Sequence, residues 1–532
     1  MNPLQGEGDS LSIGRMAEEL YRDLQKQGFL GANYSLEYQK ERVLVFFELN
    51  NKYLLKSLDV VDTMALTKPT FWPSEGTTLR LRSLQRMAQS RLDFFVNHGF
   101  PLVAYRFDSV RIDDDQVSLS LRFSYGPLIT YDSLLIPSEA GVSMRFMQAY
   151  LGMERGGMYA QREIEGMVDR IEQLPYVRIG NPPKVYFKNN KAYVQMDLQK
   201  VRVNELDFLL GFTPENGPEG RTLLTGQLNL QLHNLFNSGK YLGINWQRLK
   251  PRSQSLQAEL RYPRVFSTPI DVVGRFHLLK EDTLFIQQRT QLDLGYAFRS
   301  RSSFEVSFSQ HNATVLSVEE DIATLPDVID SRTSFFEWGY AFASRKNVPA
   351  PRKGGAYSLK AGVGNRRIVR NTAVPQELYE GLDTQTNAYR LRGAATHYFS
   401  LSKQTVLMMR VQTEALLGSA FFKNEVYRLG GLQSLRGFTE NYFFASRYAL
   451  ANLEYRFMFS DESFLYLLAD QAYLALDIPQ QYTVDWPRAF GVGMQLAVKG
   501  GNLKLAYALG QSASQKFGLN YSVVHFGFVS RF

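Results

Sequence analysis

The sequence predicts a transmembrane antiparallel β-barrel of about sixteen strands, preceded by tandem small α/β modules. Three observations carry this prediction. Helical periodicity is confined to residues 1–201, and residues 202–532 alternate apolar and polar side chains with almost no helical pattern. No run reaches the roughly 18 to 20 apolar residues of a membrane-spanning helix, so a chain of this kind would cross a membrane with strands.

Composition narrows the classes of function. The 532 residues are 44% hydrophobic and 13% aromatic, which excludes a disordered chain. There are no cysteines, and the six histidines lack ligand-like spacing, so we expect neither a metal site nor a cofactor. The net charge is +8, but Lys and Arg are dispersed; we expect no nucleic-acid partner, and lipid head groups are a possible extra attraction.

The first ten residues, MNPLQGEGDS, have neither a basic segment nor an apolar segment of a secretory signal. We therefore expect a mature or truncated form of a secreted chain.

Residues 1–201 repeat one pattern. Helical spacing over 13–29, 79–100 and 141–177 is followed each time by short strand-like runs. This predicts modules at 1–50, 51–126 and 127–201, the first incomplete because it lacks an opening strand. A single irregular α+β domain is the alternative.

From residue 202 to residue 532 the period is two. In the run 223–236 the apolar face holds Leu228, Leu230 and Leu232, and the polar face holds Gln227, Asn229, Gln231 and His233. Sixteen such runs lie between 203–213 and 521–532, an even number that suits a closed barrel. Closure matters because an open sheet edge in lipid leaves backbone groups without partners.

The stretch GGLQSLRGF, residues 430–438, lies in a loop between two long predicted strands. Together with LANLEYRFMF (450–459), FLYLLAD (464–470), FGVGMQL (490–496) and a last strand ending in Phe532, it resembles the outer-membrane protein assembly factors. That superfamily combines periplasmic POTRA modules with a sixteen-stranded barrel. The resemblance covers essentially the whole chain.

The resemblance implies that the loop folds into the lumen and presents the motif residues Gly430, Gly431, Arg436, Gly437 and Phe438. An arginine inside a barrel needs an acidic partner because an unpaired charge away from bulk water is costly. Asp470 and Glu454 are the candidates, and Asp470 is favoured because it stands where the family has its barrel-wall acid. Otherwise Asp470 is an ordinary solvated lumenal acid. The glycines permit tight turns.

The resemblance further implies that the protein is not an enzyme. The modules would capture unfolded client proteins in the periplasm, with lipid and an accessory partner also involved. A lateral seam in the outer membrane would then insert or export the clients. The implied seam residues are Leu206, Phe208, Phe526, Gly527, Phe528 and Phe532. Gly527 either weakens strand pairing and permits a kink, or leaves room for the loop.

Alternatives within and beyond the superfamily stay open. Three modules resemble the TamA-like branch more than the five-module BamA-like branch. A two-partner-secretion exporter would move one client through the lumen. A passive outer-membrane channel would need neither the modules nor the loop arginine. An outer-membrane hydrolase would need a catalytic triad, and the histidines show no spacing for one.

Overall fold

A computed structural model describes residues 10–29, 31–39, 42–50, 52–61, 76–79, 81–214, 222–250, 252–299, 301–318, 322–344, 350–418, 421–479, 481–498 and 501–530. The chain divides into two compact units. One comprises residues 1–133, 154–165 and 184–195, and the other comprises 134–153, 166–183 and 196–532. No helix in the described ranges is both long and apolar enough to cross a membrane.

The N-terminal part of the chain alternates helices with short strands. The helices are α1 Ser10–Lys26, α2 Leu81–Val96, α3 Met144–Leu151 and α4 Gln161–Ile171. The strands are β1 Asn33–Gln39, β2 Arg42–Glu48, β3 Leu54–Val61, β4 Ala104–Asp113, β5 Gln116–Ser124, β6 Thr130–Leu135, β7 Val177–Ile179, β8 Lys184–Lys188, β9 Lys191–Gln195 and β10 Leu198–Lys200.

These elements form small sheets that follow one another along the chain. Strands β1 and β2 pair, β3, β5 and β4 form a second sheet, β6, β9 and β8 form a third, and β10 pairs with β7. The prediction of tandem small α/β modules is confirmed. The predicted helical segment 141–177 is divided into α3 and α4, because Gly152 ends α3 in the left-handed conformation at φ 72°.

The C-terminal part is a single large sheet. Its wall strands are β11 Glu205–Pro214, β12 Thr222–Leu235, β13 Lys240–Lys250, β14 Ser253–Tyr262, β15 Ile270–Glu281, β16 Phe285–Arg299, β17 Ser302–Val315, β18 Ser331–Ala343, β19 Gly354–Ile368, β20 Gln385–Ser400 and β21 Thr405–Gly418. After two loop strands, β22 Tyr427–Leu429 and β23 Phe443–Ala445, the wall continues with β24 Arg447–Met458, β25 Phe464–Ile478, β26 Gln481–Asp485, β27 Arg488–Val498, β28 Gly501–Gln511 and β29 Ser522–Ser530.

The sheet runs in chain order, and each strand is antiparallel to its neighbours. The short strand β26 pairs with residues 474–478 of β25, and β27 pairs with residues 464–471 of the same strand. Pro487 separates β26 from β27, and proline cannot donate to a ladder. The two segments thus share one wall position, and the described strands make a barrel of sixteen positions, as predicted.

Side chains alternate between lumen and exterior along each strand, as β16 illustrates. Gln287, Gln291 and Asp293 are buried, whereas Leu292 and Leu294 are exposed on the outer face. This is the pattern expected for a wet lumen surrounded by lipid. Asn229 and Gln231 help to line a lumenal cavity of about 510 Å³, as the alternation in β12 predicts.

Candidate functional site: the lumenal loop and the seam

The loop between β21 and β24 packs against the inner wall of the barrel. Its two short strands, β22 and β23, form a hairpin. Leu435 and Phe438 are fully buried in a cluster that includes Leu450 of β24 and Leu474 of β25. Phe438 also meets Phe443 edge to face, with ring centroids 4.8 Å apart. We call residues 421–446 the lumenal loop.

Arg436 lies at the centre of a buried ion-pair network. Its Nε and Nη2 donate to the two carboxylate oxygens of Asp470 at 2.8 and 2.5 Å. Its backbone N–H donates to Asp470 Oδ2 at 3.0 Å. Its Nη1 donates to Glu454 Oε1 at 2.5 Å, and the other oxygen of Glu454 accepts both Nε and Nη2 of Arg456. The structure therefore brings both predicted acids to the arginine.

The charge balance at Arg436 favours the ionised form. Burial of this loop residue lowers the pKa of the guanidinium, but hydrogen bonds and charge from Asp470 and Glu454 outweigh burial and raise it above its ordinary value. The side chains of Arg436 and Asp470 are 3% and 0% exposed. Such a bidentate pair fixes the orientation of the guanidinium as well as its charge.

The motif glycines lie at sharp turns of the loop. Gly430, Gly431 and Gly437 have φ of 124°, 96° and 79°. A Cβ on Gly437 would lie 2.7 Å from the backbone nitrogen of Gly510 on β28, so a larger residue is excluded on two grounds.

Gly437 also connects the lumenal loop to the last strand. Its N–H donates to Nε2 of His525 on β29 at 3.3 Å. Gly527 of the same strand lies beside Leu432 of the loop, where a Cβ would be 3.6 Å from Leu432 Cδ2. The ladder between β28 and β29 passes through Gly527 without a shift in register, and both roles predicted for this glycine stay predictions.

The predicted seam residues fall at the two ends of the sheet. Leu206 and Phe208 of β11 and Phe526 of β29 have exposed side chains on the outer face. The backbone of Phe528 pairs with Leu503, and Phe532 lies outside the described residues. Strands β11 and β29 come close together, yet no ladder joins them in residues 205–214 and 522–530.

Sequence reasoning missed the first half of the lumenal loop. Asn424 and Glu425 are buried there, and Glu425 pairs with Arg366 of β19. It also missed His525 as an acceptor for the motif backbone. For Arg366 and His525 the sequence offers one signal, a charged or polar residue at an inward position of a strand. Most lumenal residues share this feature, so it does not single out these two.

The sequence matches a known protein family. A family model described as the Omp85 superfamily domain matches residues 234–532, more than half of the chain. The chain therefore belongs to the Omp85 superfamily. No curated protein sequence matches it.

Two solved structures of CdiB show the same fold at low identity. CdiB from Escherichia coli is 13% identical with a TM-score of 0.58, and the match covers 100% of both chains. CdiB from Acinetobacter baumannii is 12% identical with a TM-score of 0.57, over 99% of this chain and 100% of that chain. BamA from Haemophilus ducreyi lacking POTRA domains 1–3 is 13% identical with a TM-score of 0.43, over 86% of this chain and 95% of that chain.

Superfamily membership makes this chain an outer-membrane β-barrel protein. Its N-terminal small α/β modules fit POTRA-like domains. Membership of the superfamily supports a role in outer-membrane protein insertion or secretion in general.

Proposed function

We propose that the protein is an outer-membrane assembly and translocation factor that passes unfolded clients through a lateral seam between β11 and β29, and that it is not an enzyme. The observation that carries the proposal is that no ladder joins these two strands in the residues that the structure describes, in a sheet whose other neighbours are all hydrogen-bonded. Unpaired strand edges in a bilayer are costly, and a client strand would satisfy them.

The outer surface of the seam suits this role. Leu206, Phe208 and Phe526 present apolar side chains to lipid on either side of it. A client strand that pairs with β11 or β29 would therefore lie beside apolar side chains and in contact with the bilayer. Each client strand added at the seam would pair with backbone amides that otherwise have no hydrogen-bond partner in hydrocarbon.

The lumenal loop supports the last strand from inside. The ion pair with Asp470 fixes Arg436, the next residue hydrogen-bonds His525, and Leu432 lies beside Gly527. Strand β29 is thus held by β28 and by the loop while its other edge faces β11. In this proposal Arg436 is a positioning residue that keeps β29 in place as the seam opens.

The modules would capture clients in the periplasm by strand addition. Strand β4 lies at the edge of the sheet formed by β3, β5 and β4. Its apolar residues Phe107, Val110 and Ile112 are exposed. An exposed apolar edge strand is a template for an extended peptide. The domain limits 1–50, 51–126 and 127–201 remain part of this proposal.

Export of one client through the lumen is the second candidate. It is favoured by the lumenal cavity of about 510 Å³, which Gln257, Arg275 and Gln291 help to line. Reversible cross-linking of β11 to β29 separates the two routes, because a closed seam blocks lateral insertion and leaves the lumen unchanged.

Lipid and an accessory assembly protein are proposed as further partners, and a TamA-like or BamA-like assignment stays open.

A further inference from the structure

The first half of the lumenal loop holds a second buried ion pair, separate from Arg436. The carboxylate of Glu425 accepts Nε and Nη2 of Arg366 on β19 at 2.8 and 2.7 Å. Each side chain is 2% exposed. Phe421 and Phe422 lie against the guanidinium, with ring centroids 5.4 and 5.8 Å away.

The same half of the loop is joined to the loop between β17 and β18. The side chain of Asn424 accepts the N–H of Ile329 at 3.1 Å and donates to the carbonyl of Ile329 at 2.8 Å. The N–H of Lys423 donates to the carbonyl of Asp327 at 2.9 Å. Gln287 of β16 donates to the carbonyl of Asn424. These bonds join the first half of the lumenal loop to the loop between β17 and β18 and to β16.

Arg428 extends the connection to a further part of the wall. Its Nη1 donates to Glu281 at the end of β15 at 2.8 Å, and its guanidinium lies over Phe285 and Phe444 at 5.4 and 4.6 Å. Among the sixteen wall positions β15 is the fifth and β25, which carries Asp470, is the thirteenth. The lumenal loop is thus fixed on opposite sides of the barrel and spans its opening.

An apolar cluster packs beside the Arg366–Glu425 pair. It combines residues from the loop between β17 and β18, the end of β19, the loop between β19 and β20, and the lumenal loop: Ile329, Ile368, Val374, Tyr379 and Phe422. Asn371 of the loop between β19 and β20 donates to Asp330 of the loop between β17 and β18 at 2.6 Å. Three loops therefore share one packed core next to the Arg366–Glu425 pair.

We propose that Arg366 and Glu425 form a second anchor of the lumenal loop, which keeps the barrel lumen closed to ions and small solutes independently of Arg436. Removal of either charge leaves the other buried without a counter-ion, a state that favours separation of the loop from β19. Freed at this end, the loop would no longer span the opening. Arg366 and Glu425 would then act as positioning residues for closure of the lumen.

The test is ion conductance of the purified full chain in planar lipid bilayers. Arg366→Glu should raise conductance several-fold, and the exchange Arg366→Glu with Glu425→Arg should return it toward that of the unaltered chain. Arg447→Glu is the control, because its pair with Asp477 is exposed, with 39% and 57% of the side chains accessible. A role confined to stability would leave the conductance of folded Arg366→Glu protein unchanged.

Two further variants keep the test decisive if Arg366→Glu does not fold. Glu425→Gln is nearly isosteric and should raise conductance in the same direction. In the Glu425→Gln background, cysteines at Asp327 and Lys423 provide a reversible lock in a chain with no other cysteine. Conductance should fall on oxidation and rise again on reduction. Unaltered conductance in folded Glu425→Gln protein, or raised conductance that persists in the oxidised lock, would overturn the proposal.

Discussion

Arg436 and Asp470, 34 residues apart in the chain, form a bidentate ion pair inside the barrel, and the backbone N–H of Arg436 adds a third bond to the same carboxylate. The pair joins the lumenal loop to β25. Through Gly437 and His525 the same loop contacts β29, the last strand of the sheet. One charged contact therefore connects the loop motif with the strand that borders the seam.

Arg436→Ala should impair client assembly and lower the stability of the barrel. Asp470 would remain buried without its cation, which costs about 3–5 kcal/mol, whereas Glu454 would keep its pair with Arg456. The measurements are client insertion into liposomes and the temperature of the heat-modifiable gel shift. Arg447→Ala is the matched control, because its exposed pair contributes at most about 1 kcal/mol. Full insertion by folded Arg436→Ala protein would remove the loop from the mechanism.

The two acids should contribute unequally. Asp470 accepts three hydrogen bonds from Arg436, whereas Glu454 accepts one and keeps Arg456 as a partner. Asp470→Asn should therefore reduce the unfolding temperature and client insertion more than Glu454→Gln does. A double-mutant cycle with Arg436 measures each coupling. An equal or larger effect of Glu454→Gln would contradict this ranking.

Alanine at two glycines should have opposite consequences. Gly437 has φ 79° and a backbone atom 2.7 Å from the Cβ position, so Gly437→Ala incurs about 1–2 kcal/mol of backbone strain plus a clash. Gly527 has room for a methyl group, and Gly527→Ala should stabilise β29 by roughly 0.5 kcal/mol. Unfolding temperatures and client insertion of both variants provide the check. Loss of insertion in Gly527→Ala alone would instead support a kink that forms during the cycle.

Charges on the edge strand of the second module should weaken client capture. Val110 and Ile112 on β4 are each 55% exposed, so Val110→Lys with Ile112→Lys leaves the module core intact. Lysine on an edge strand disfavours pairing with another chain. The expected result is weaker binding of an unfolded client peptide to the full chain, measured by fluorescence anisotropy. Leu102→Lys, at a similarly exposed site just before β4, is the control and should bind normally.

The barrel could be predicted from sequence because lipid outside and water inside impose a two-residue period on every strand. The same period placed Asp470 and Glu454 on the lumenal face, where they meet Arg436. The Arg366–Glu425 pair could not be predicted, because lumenal arginines and acids are common and 59 residues separate these two. The division of one predicted helical segment into α3 and α4 depended on the backbone conformation of a single glycine, Gly152.

The seam itself is tested most directly by a reversible covalent lock. Cysteines at Phe208 of β11 and Phe526 of β29 would occupy exposed outer positions in a chain that has no cysteine. A second pair at Leu206 and Leu230, partners in the β11–β12 ladder, controls for oxidation. We predict that oxidation of the first pair abolishes client insertion into liposomes and that reduction restores it, while the second pair has no effect. Unchanged insertion with the first pair efficiently cross-linked would contradict the lateral seam and favour passage through the lumen.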